Sequence, residues 1–76
     1  MLKQLEKYYE QELHYTKVGM ENESDPKQRS NMAWYATQRC LGACQFAQMC
    51  GVQYTEVEPL YEAVRTQFQE MVNREI

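Results

Sequence analysis

Between Ala33 and Cys50 the chain repeats small side chains at steps of three and four residues: Ala33, Ala36, Cys40, Ala43, Ala47 and Cys50. A heptad-like spacing of this kind places them on one side of a helix. A helix that is small along one side can be approached closely by neighbouring backbones, provided those neighbours bring large side chains to fill the seam. The flanking segments have that complementary character.

Residues 2–21 carry Leu2, Leu5, Tyr9, Leu13, Thr16 and Met20 at three- and four-residue steps. This spacing predicts an amphipathic helix, with Lys3, Lys7, Glu10, Gln11, His14 and Lys17 turned largely away. Tyr8 and Tyr15 fall at the stripe's edge, and Gly19 either loosens or caps the last turn. Residues 56–74 carry a second large stripe, Val57, Leu60, Tyr61, Val64, Phe68, Met71 and Val72. Asp25 followed by Pro26 marks the start of the middle helix, an N-cap and an N1 proline, with Gln28 completing a capping-box-like pattern. Gly51 marks its end. Thr55 with Glu58 reads as a capping box opening the last helix, with Pro59 in its first turn.

The expected fold is therefore all-α: a single domain over residues 1–76, a small antiparallel three-helix bundle with helices over about 2–21, 26–50 and 56–74, the long middle one being central. A 76-residue chain has a thin stability margin, roughly 3–5 kcal/mol.

Charge narrows the function. The net charge of −3 and the scatter of eight basic residues supply no footprint for nucleic acid and no basic cluster for a membrane surface. The opening MLKQLEKYYEQ has no apolar run of a signal peptide, and three cysteines fit reduced thiols in the cytoplasm.

No catalytic constellation stands out, and the expectation is a non-enzyme without a cofactor. Cys40, Cys44 and Cys50 lack the second ligand pair that a structural zinc site uses, so they read as small hydrophobic fillers. His14, the one histidine, falls on a face that does not bring it to Cys40 or Cys44. Glu56, Glu58 and Glu62 gather where a helix dipole favours acids, with Glu70 and Glu75 further on.

What remains is a binding surface. Trp34, Gln38, Leu41, Gly42, Gln45 and Met49 fall opposite the small seam. Gly42 in mid-helix costs about 1 kcal/mol against Ala and asks for a reason, such as close approach by another helix. Of the six tyrosines, Tyr9 and Tyr61 fall on core stripes, and Tyr8, Tyr15, Tyr35 and Tyr54 on edges or surfaces. Tyr and Trp are favoured at binding hot spots. The expected partner-binding residues are Trp34, Tyr35, Leu41, Gly42 and Met49. The partner is either another protein, which the chain regulates or inhibits, or a second copy in a structural homodimer. A thiol- or metal-dependent small-ligand site on the cysteines is a further alternative. In size, acidity and helical simplicity the chain resembles small accessory proteins of phages and mobile elements, a likeness of type that assigns no residue.

Overall fold

The computed structural model describes residues 1–74; Glu75, counted above among the late carboxylates, lies outside them. Three helices pack together: α1 (Leu2–Glu21), α2 (Pro26–Met49) and α3 (Tyr54–Arg74). At 24 residues α2 is the longest, and it packs more extensively against each neighbour than α1 and α3 pack against each other. No helix among the described residues is long and apolar enough to cross a membrane.

The ends of the helices follow local chemistry. Asp25 is the N-cap of α2, its Oδ1 accepting from the Lys27 amide at 3.0 Å, with Pro26 at N1. The reciprocal half of the box comes from Glu23, whose Oε1 accepts from the Asp25 amide at 3.2 Å, and not from Gln28. Cys50 is the C-cap of α2. Gly51 follows at φ +101°, the left-handed conformation that glycine adopts without a Cβ penalty. The Gly51 amide bonds Gln48 O and the Val52 amide bonds Ala47 O, both at 3.0 Å, closing a Schellman turn. Gly19 caps nothing: α1 continues to Glu21, and the Asn22 backbone and side-chain amides close its last turn on Val18 O.

The last helix starts earlier than its sequence signals. The Gln53 carbonyl accepts from the Glu56 and Val57 amides at 3.0 and 3.2 Å, so Tyr54 is already helical. Thr55 is thereby inside the first turn and is no N-cap, and Pro59 stands inside the helix beyond that turn. There its ring takes away the N–H that would bond the Thr55 carbonyl.

The core is the expected meeting of large and small. Leu5, Tyr9 and Met20 of α1 and Val57, Val64 and Phe68 of α3 close on the small side of α2. Thr16 is buried as well. The seam itself is shifted from the heptad reading. Its buried members are Ala33, Ala36, Cys40, Cys44 and Ala47, while Ala43 is half-buried and Cys50 exposed. A straight helix turns every 3.6 residues, so a strict 3.5-residue repeat drifts by about 20° per heptad. Over two heptads that drift carries Cys50 out of the core and brings Cys44 in. Phe46, next to the buried Ala47 in the chain, is 60% exposed.

Ala36 has no exposed surface, whereas Ala43 keeps some. Ala36→Phe is expected to cost about 3 kcal/mol or more, since overpacking here has no room to relax, and Ala43→Phe distinctly less. Urea denaturation of the two variants checks the order. Pro59→Ala restores a backbone bond on an exposed surface. It should raise stability by about 1–3 kcal/mol, seen as a thermal midpoint several degrees higher.

Candidate protein-binding surface

The outward side of α2 carries most of the helix's large apolar residues. Trp34 and Tyr35 are 57% and 56% exposed, and Met49 is 84% exposed. The Trp34 and Tyr35 rings meet edge to face with centroids 5.1 Å apart, a favourable aromatic arrangement. Leu41, expected on the same face, is half-buried and sits on the flank of the helix. Phe46 is the large residue that reading missed. The signal for it is a second repeat running beside the first: Tyr35, Arg39, Gly42, Phe46 and Met49 step by four and three along the helix, and every one of them is exposed.

Gly42 lies at the middle of this strip. A Cβ there would meet nothing within 4 Å among the described residues, so neither α1 nor α3 approaches it. The close approach expected at Gly42 is absent from the packing among the described residues. Nothing inside the fold offsets its cost as a mid-helix glycine.

The strip is also nearly free of charge. From Ser30 to Thr55 the one ionisable acid or base of the Asp, Glu, Lys and Arg types is Arg39. Its Nε and Nη2 both donate to Glu12 Oε2 of α1, at 2.8 and 2.7 Å. That bond raises the Arg39 pKa, and the pair is neutral as a unit. With Arg39 half in water the pair contributes at most about 1 kcal/mol to stability.

On the side of Trp34 facing α3 runs an open groove. Ala33 and Phe68 form its floor, with Thr37, Gln38, Arg65 and Gln69 among its polar walls. A second groove between the C-terminal halves of α1 and α3 is lined by Met20 and Met71, with His14, Lys17, Glu70 and Arg74 around them. His14 is thus on the surface, edge to face with Tyr15 at 5.7 Å, while Cys40 is sealed beneath Tyr9.

The thiols divide by environment. Burial pushes the Cys40 thiol up to about 12, Glu12 adding to the rise and Arg39 opposing it. Burial likewise pushes the Tyr9 hydroxyl far up, with the neighbouring Cys44 and Cys40 thiols adding to it. The Tyr9 hydroxyl donates to the Cys40 carbonyl at 3.4 Å. A thiol this high carries almost no thiolate at neutral pH and is a poor nucleophile. Cys44 is buried and accepts a long contact of 3.7 Å from Gln48 Nε2, and Cys50 is exposed. Among the described residues no three His, Cys, Asp or Glu side chains gather as a metal-ligand set.

Comparison with protein-family models, curated proteins and solved structures returns no match.

Cys40 and Tyr9 are neutral when protonated, and their folded values lie above the ordinary 9.0 and 10.0. The folded state therefore holds their protons longer. The stability they contribute is complete below about pH 9 and is lost as the pH climbs from there toward 12. The urea midpoint is expected to fall across that window, and in Cys40→Ala the fall should begin about one pH unit later. At pH 7.5 iodoacetamide should label Cys50 first, with Cys40 and Cys44 labelled only as fast as the protein opens.

Proposed function

We propose that this chain is a non-enzymatic protein-binding module that docks a partner on the outward face of α2 and regulates or inhibits it. The supporting observation is the exposed strip of Tyr35, Gly42, Phe46 and Met49 flanked by Trp34, largely apolar and nearly uncharged on a helix whose opposite side is buried in the core. Exposed apolar residues clustered on one surface are the mark of an interaction site. Aromatic anchors typically carry most of the binding energy. The regulatory role, a cytoplasmic setting and an origin among phage or mobile-element accessory proteins are carried by the sequence reading alone.

The reading depends on α2 being the central member of an antiparallel bundle, so that one of its sides is buried and the other free. Three contacts support that order. Tyr9 meets Cys40, Glu12 meets Arg39 and Gly19 meets Met32, so the α2 partner falls in number as the α1 residue rises. Met1–Gln4 lie beside Gly51, Val52 and Glu56, which puts the start of α1 next to the end of α2. The thiol-based alternative has weaker support, since Cys40 and Cys44 are enclosed and Cys50 stands alone.

Trp34→Ala combined with Phe46→Ala removes two anchors without touching the core. Captured from a lysate of the source cells with the wild-type chain as bait, a specific partner should bind the double variant at least about 30-fold more weakly. Tyr15→Ala, an exposed aromatic change on α1, should bind as wild type. Helicity by circular dichroism should be the same in all three. A partner held equally well by the double variant would refute the assignment of this face.

A further inference from the structure

We infer that the occupant of the α2 strip is a second copy of this chain, its α2 packed antiparallel to the first and crossing it at Gly42. This rests on the reading of the strip as a docking face and names what docks there.

A two-fold interface needs a surface that is complementary to itself, with residue i on one copy meeting j on the other and j meeting i. Gly42 is the centre of such a surface. Tyr35 and Met49 lie seven residues before and after it, so an antiparallel crossing at Gly42 sets Tyr35 of each copy against Met49 of the other. Sulfur against an aromatic ring is a favourable pairing. The same operation places Phe46 at the level of Gln38, beside Arg39, and Trp34 at the level of Cys50. Each bulky residue meets a smaller or flexible one, and the two glycines face each other at the crossing. The bare backbone at Gly42, which neither α1 nor α3 approaches, then has an occupant.

Charge selects the same arrangement. A strip whose one charge is already paired within its own chain offers nothing to a strongly acidic or basic partner and fits an equally neutral face. In the antiparallel crossing the two Arg39 side chains stand about 9 Å apart along the axis, six residues at ~1.5 Å each. A parallel pairing would set them opposite one another.

The area suffices. Trp34, Tyr35, Phe46 and Met49 are each more than half exposed. With roughly 150–250 Å² for a whole aromatic side chain, these four present about 500 Å² per copy. Two copies bring at most roughly 1,000 Å² from the anchors, near the lower bound for a specific interface, and the exposed Gln38, Arg39 and Gln45 between them add to it.

Sedimentation equilibrium from 5 to 500 μM, with spin-label distances on the same samples, tests this. The wild-type chain is expected to reach dimer mass within that range. Gly42→Gln, a better helix former in open space, should raise the dimer Kd at least about 30-fold while its helicity and thermal midpoint hold or rise. Met49→Lys, at the most exposed position of the strip, should do the same without any demand on folding. The exposed Cys50 accepts a nitroxide directly, the other two thiols being buried. An antiparallel dimer puts the two Cys50 labels about 25–35 Å apart, and labels at Lys27→Cys in a Cys50→Ser background about 45 Å apart; a parallel dimer puts both pairs within about 20 Å. A monomer at 500 μM would overturn the inference, as would unchanged dimerisation of Gly42→Gln and Met49→Lys, or short distances at both sites. A monomer that still captures a different protein through Trp34 and Phe46 would sink the dimer alone and leave the docking face standing.

Discussion

The close approach of three backbones along the small side of α2 is the constraint on which everything else in this molecule rests. Ala36 and Cys40 have no exposed surface at all, and Ala33 and Ala47 have almost none. Small side chains there let Tyr9, Val57 and Phe68 come in from both neighbours and fill the space with few large groups. In a chain of this size the margin is narrow, so each filled volume counts. The raised Cys40 thiol and Tyr9 hydroxyl are consequences of the same contact. Both titrating atoms lie where a charge would lose its water, and both therefore keep their protons.

Having its small residues inside has a second effect. Four of the large apolar residues of α2, Trp34, Tyr35, Phe46 and Met49, lie outside, while Met32 packs against the core. α1 and α3 each show one apolar stripe toward the core, whereas α2 is apolar on both sides, small inward and large outward. A helix of that kind buried on one side has used only half of its hydrophobic character. The outer half costs solubility and, through Gly42, local helix stability, with no return inside the described fold. Trp34, Tyr35, Phe46 and Met49 are thus the strongest pointers to function in the chain.

Much of this was legible in the residues. The stripes of α1 and α3 follow directly from spacing, because large side chains at three- and four-residue steps leave one helical face available to them. Asp25–Pro26 and Gly51 mark the ends of α2 because a cap acts within a turn and needs no tertiary partner. Other local signals yield to the packing around them. Thr55 and Glu58 have the spacing of a capping box, but the Schellman turn at Gly51 and the Gln53 carbonyl start α3 before Thr55 can act. Ala43 and Cys50 fit the seam by spacing because several registers suit a run of small residues about equally well. Leu41 went the same way: an angle on an ideal wheel does not say how far the neighbouring helices spread round the flank.

Local residues alone make this chain helical, break it near Asp25–Pro26 and Gly51, and leave its middle helix small on one side with aromatic residues on the other. Those are consequences of periodicity and capping, which act over a few residues. The packing of the three helices sets which small residues are buried, encloses Cys40 and Cys44 but not Cys50, and leaves Gly42 open beside Phe46 and Met49. Burial depends on how neighbouring helices rotate and where they stop. That is set by the packing of α1 and α3 on α2 together, and no single segment contains it.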